Sequence, residues 1–161
     1  MTNQPPLEKK QALDIRCGNA VIVETETGAV VCMKAEREGK EYIHHYAVPL
    51  HPVTQETAAL IYLDPDQEIV DCVTQLTFTL SDADAQAAPD VGAVFRNFQG
   101  TFMKIREDPK SQRMFAYLNL ETGQIKRRQE KKMEAVYREW NANGETESIT
   151  LATLHTLHID G

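Results

Sequence analysis

The segment Val70–Leu80, VDCVTQLTFTL, decides the fold class. Val70, Cys72, Thr74, Leu76, Phe78 and Leu80 alternate with Asp71, Gln75, Thr77 and Thr79, and Val73 alone interrupts the polar set. A period of two sends successive side chains to opposite faces, so the segment reads as a strand with one face on a core. Similar runs occupy 18–25, 29–36, 41–48, 57–63, 93–106, 112–120 and 147–159. Turn residues separate them. Glu26-Thr27-Gly28 and Glu121-Thr122-Gly123 suit type I turns with glycine in the left-handed position. Asp64-Pro65-Asp66 and Asp108-Pro109-Lys110 place proline where its fixed φ fits a turn, and Glu38-Gly39 and Asn143-Gly144 complete the set.

These signals predict an α+β protein that is predominantly antiparallel β: a meander of about eight strands, curled into a barrel or sandwich, with one helix late in the chain. Curling or packing is expected because so many strands otherwise leave open edges. The helix is expected over 127–140, where Met133, Val136, Tyr137 and Trp140 recur at helical spacing among Lys126, Arg127, Arg128, Lys131, Lys132 and Arg138. Its apolar stripe is expected to lie on the sheet.

At 161 residues, with 42% hydrophobic and 25% charged side chains, the chain can bury an ordinary core. The expected organisation is a flexible arm over 1–13, kept extended by Pro5 and Pro6, and a single β-rich domain over 14–161. The three cysteines, Cys17, Cys32 and Cys72, form no C-x-x-C pair, which excludes a disulfide scaffold and suits a reducing compartment. The start of the chain is polar and no stretch is apolar enough to span a bilayer, so a cytoplasmic location without membrane contact is expected.

Several chemistries are excluded by inspection. The eight glycines are scattered, so no loop offers consecutive amides to phosphates. None of the three serines, Ser81, Ser111 and Ser148, sits in a G-x-S-x-G elbow. Asp64-x-Asp66-x-Glu68 resembles the start of a calcium loop, but Ile69 and Gln75 stand where that loop needs Gly and Glu. No cofactor is expected.

The net charge of −7 hides an asymmetry. Residues 1–95 carry 6 basic and 15 acidic side chains, whereas residues 96–139 carry 11 basic and 6 acidic ones. If 96–106 and 112–120 are paired strands, even positions of the first share a side with odd positions of the second. One side then carries Arg96, Phe98, Phe102, Lys104 and Arg106 beside Arg113, Phe115 and Tyr117. The other, with Met103, Ile105, Met114, Ala116, Leu118 and Leu120, is a core face. Rings with cations can stack on planar groups and pair with anions. Two alternatives compete: the 127–140 helix covers these rings as a second core layer, or a bulge at Gly100 flips the alternation.

The histidines offer a rival site. His44, His51 and His155 are the metal-ligand candidates, since His44 and His45 point to opposite faces of one strand. The leading expectation is a non-catalytic binding or accessory protein. Its surface over 96–138 would take an anionic small molecule, an acidic protein partner or a second copy as a homodimer, with nucleic acid disfavoured by the overall charge. The alternative is a small metal- or histidine-dependent enzyme with its site in a barrel mouth.

Overall fold

A computed structural model describes residues 8–26, 28–51, 58–83, 89–108, 110, 113–127 and 133–144. The first half supplies β1 (Glu8–Gln11), β2 (Asn19–Thr25), β3 (Gly28–Glu38), β4 (Ile43–His51), β5 (Ile61–Leu63) and β6 (Glu68–Ala83). The second half supplies β7 (Val94–Asn97), β8 (Gly100–Arg106), β9 (Phe115–Asn119), β10 (Ile125–Lys126) and β11 (Ala135–Gly144). All strand pairs are antiparallel, in the order β10-β9-β8-β7-β11-β6-β2-β3-β4-β5, and β1 adds to β6. The predominantly antiparallel class read from Val70–Leu80 is the observed one.

The sixteen residues of β6 run through both sheets. Its start pairs with β1 and β2, and Leu76–Ala83 pairs with β11. Cys72 on the apolar face of this strand is buried, with Val70, Leu76, Phe78 and Leu80 packed against the same core. That core takes Ile22, Met33 and Val48 from the first sheet and Met103, Ile105 and Leu118 from the second. The sheets also meet at their ends, where Leu60 N donates to Arg106 O (3.0 Å) and Glu36 N donates to Gly123 O (3.1 Å). Among the described residues the strands form no closed barrel.

Among the described residues of 127–140 the expected helix is not seen; Ala135–Gly144 is a strand. Val136 and Tyr137 are neighbours buried on opposite sides, Val136 among Phe95, Phe102 and Tyr117 and Tyr137 in the main core. A strand covered on both faces loses its period of two, and these residues then imitate helical spacing. Pairing with both β6 and β7 fixes the extended form. The strand expected over 147–159 lies outside the described residues, as does residue 109 of the Asp108 turn.

The first sheet has its own outer layer. Within the expected N-terminal arm, Glu8–Gln11 pairs with Glu68–Asp71 and leads into a 3-10 turn at Ala12–Asp14. Ala12 and Ile15 are buried with Val21, Val23, Cys32, Ala47 and Leu63. Among the described residues no helix is long and apolar enough to cross a membrane.

Candidate functional site

The expected strand 93–106 is two strands, β7 and β8, joined by Phe98 and Gln99. Asn97 makes this turn, its Oδ1 accepting from Gln99 N at 2.8 Å, which is an Asx-turn geometry. A two-residue connection pairs Phe95 with Phe102 and Arg96 with Thr101. Parity therefore reverses across the turn. Arg96 lies on the opposite side from Phe102 and Lys104: its guanidinium is 5.9 Å from the Tyr137 ring centroid and 3.7 Å from Glu134 Oε2. Phe98 projects from the turn and is 69% exposed.

From β8 onward the facing is the expected one. Lys104 is opposite Tyr117, Arg106 opposite Phe115, and Tyr117 opposite Lys126 of β10. Met103, Ile105, Ala116 and Leu118 face the main core. Met114, expected beside them, precedes β9 and is exposed. On the outer side Phe102 and Tyr117 are buried with Phe95 and Val136 in a second apolar layer. Phe95 stacks on Phe102 at 5.7 Å and meets Tyr117 edge-on at 5.7 Å. These rings are internal and their faces are occupied by one another.

A cationic row remains around that layer. Lys104, Tyr117 and Lys126 stand side by side on three adjacent strands, so the two ammonium stems start about 10 Å apart, two strand spacings. Lys104 Nζ lies 4.5 Å from the Phe115 ring centroid and donates to Pro89 O at 3.4 Å. Arg106 stands opposite Phe115, and Arg113 is exposed just before β9. The paired outer positions of β8, β9 and β10 are Phe102, Lys104, Arg106, Phe115, Tyr117, Asn119 and Lys126, with no carboxylate among them. Such a row suits a ligand with two or more anionic groups.

A second polar cluster, which the sequence reading did not single out, lies on the outer face of the first sheet. Lys34 is fully buried, and its Nζ donates to Ile15 O (3.3 Å), Glu36 Oε2 (3.1 Å) and His45 Nδ1 (3.0 Å). The signal was present: a lysine inside the apolar run VVCMKAE, with a glutamate two positions on. Burial holds the His45 imidazole below its ordinary range, the Lys34 ammonium lowers it further, Glu36 opposes them and His44 adds to the lowering. Burial also pushes the nearby Cys17 thiol up to about 12, so it rests protonated and is a poor nucleophile. Cys72 is likewise raised to about 12 by burial, and Cys32 is raised by burial and by Cys72.

The alternation expected over 41–48 gathers an aromatic group that the sequence reading did not single out. Tyr42, His44 and Tyr46 fall on one side with Tyr62, in successive ring contacts of 5.1, 6.4 and 5.5 Å. Arg37 binds the Tyr46 hydroxyl (3.0 Å) and Glu107 Oε1 (2.9 Å), tying this group to the end of β8. Of the metal candidates, His44 faces these tyrosines; its chain neighbour His45, which was not a candidate, faces Lys34. The His51 side chain and His155 lie outside the described residues. Among the described residues no three His, Cys, Asp or Glu side chains converge. No protein family, no curated protein and no solved structure matches this chain.

Proposed function

We propose that this chain is a non-catalytic binding or accessory protein whose outer β8–β10 face takes a polyanionic ligand. The row of Lys104, Tyr117 and Lys126, with Arg106 opposite Phe115, is the observation that carries the reading. Cations two strands apart engage two anionic groups of one ligand, and Arg113 extends the face at its open end. Phe102 and Tyr117 act beneath it as the packed floor that sets the spacing. Arg96 and Phe98 fall outside the face.

Retention on phosphocellulose tests the proposal, because a chain of net charge −7 is held there only through a local basic surface. Arg113→Glu with Lys126→Glu is expected to lower the salt needed for elution at least twofold. Lys40→Glu, an exposed lysine of the first sheet's β3–β4 turn, is expected to leave it unchanged. Equal losses from both, or no loss from the double variant, exclude this face as the binding surface.

A further inference from the structure

The N-terminal segment is fastened to the first sheet at two polar points as well as by its apolar residues. Lys10 Nζ meets the buried Asp71 carboxylate at 3.0 Å, and the Ile15 carbonyl receives Lys34. Between them Ala12 N donates to Gln67 O (2.8 Å) and Leu13 N to Pro65 O (3.0 Å). The second point is unusual in its accounting. An ammonium has three protons, and Lys34 spends them on Ile15, Glu36 and His45. Because an ammonium cannot accept, His45 Nδ1 must present a lone pair, which places the ring proton on Nε2. The grip on Ile15 therefore requires a neutral imidazole.

We propose that residues 8–15 form an acid-releasable strap, with His45 as its sensor. Protonation turns Nδ1 from acceptor to donor and sets a second cation 3.0 Å from Lys34 Nζ. The new donor competes for Glu36 Oε2, already within 4.0 Å. Lys34 then loses one acceptor, shares another and is repelled, and the contact that yields is the neutral Ile15 carbonyl. The groups around the ring are few. Lys34 and Glu36 face it from β3, His44 adjoins it on β4, and β5 presents Leu63. The N-terminal segment brings the Ile15 carbonyl between the exposed Asp14 and Arg16, and the protonated Cys17 thiol lies beyond.

The sign follows from linkage. His45 in the fastened state binds a proton less readily than an ordinary histidine near 6.5, so the released state takes up the proton. Fastening is complete above that value and weakens as pH falls below it. One proton with a released-state value near 6.5 caps the effect at about tenfold at pH 5.5.

Amide hydrogen exchange on the full chain, as protection factors at pH 7.5 and 5.5, tests the strap. Wild type is expected to lose several-fold protection at Ala12 and Leu13 on acidification, while Ile105 in the second sheet keeps its protection. His45→Gln, which retains an amide acceptor without titrating, is expected to abolish the difference. In wild type the NMR titration midpoint of the His45 ring must also match that of the strap amides, a measurement that needs no variant. Unchanged wild-type protection, an equal loss in His45→Gln, a parallel loss at Ile105 or mismatched midpoints would each overturn the proposal.

Discussion

Gly123 stands where three chain segments crowd together. A Cβ built there would lie 2.7 Å from Cys17 Sγ, 2.7 Å from Gly18 N and 2.9 Å from Lys34 O, and the backbone adopts φ +79°. Two of those neighbours are backbone atoms, one in the turn before β2 and one in β3, so they yield only if the sheets separate locally. Gly28 also has a positive φ, +117°, but nothing lies within 4 Å of its Cβ direction. Alanine at Gly28 meets backbone strain alone, about 1 kcal/mol. Alanine at Gly123 adds overlap of about 1–3 kcal/mol to the same strain. Urea unfolding should therefore rank Gly123→Ala well below Gly28→Ala in stability. Equal midpoints would mean that the contact between the 123 turn and β3 does not hold the sheets together.

At the scale of elements, two phenylalanines that the sequence placed on one face have parted. Phe102 is buried in the second apolar layer, stacked on Phe95, whereas Phe98 occupies a turn. Phe102→Ala is expected to cost about 3–5 kcal/mol and Phe98→Ala under about 0.5 kcal/mol. Comparable losses in denaturant midpoint would contradict the turn at Phe98 and Gln99. The same pair marks the limit of what local sequence reveals. Alternation in Val70–Leu80, glycines after acidic turn residues and the facing of Lys104 with Tyr117 are local properties, and each was legible. The break at Asn97 was not, because Asn-Phe-Gln-Gly hides a turn within an apolar run and only an Asx hydrogen bond reveals it. Strand β11 was misread for a longer-range reason. Its extended form depends on partners some 60 and 40 residues earlier in β6 and β7, and burial on both sides erased its period. The Lys34 cluster depends likewise on bringing Ile15 against β3 and β4.

For the molecule as a whole, the charge asymmetry of the sequence becomes a division between sheets. The acidic part, through residue 95, builds the first sheet and leads into the second, while the basic part builds β8, β9 and β10. Opposite charge on two sheets raises the question of whether they fold as one unit. From the packing, one unit is the expected outcome. Ile22, Met33 and Val48 share a cluster with Met103, Ile105 and Leu118, and β6 passes through both sheets without interruption. Among the described residues the outer clusters, one around Ala12 and Ile15 and one around Phe95 and Phe102, are smaller than the shared core. A reporter in the second sheet should therefore sense damage in the first. Trp140, the single tryptophan, packs near Phe78 at 5.9 Å and donates to Gly92 O at 3.3 Å. Ile22→Ala in β2 removes about 2–5 kcal/mol of core packing well away from that ring in the chain. If one core governs both sheets, Trp140 fluorescence and far-ultraviolet circular dichroism will give coincident urea transitions in wild type, and Ile22→Ala will lower both by the same amount. A fluorescence transition that stays in place while the dichroism transition moves would make the sheets independent units joined only by β6.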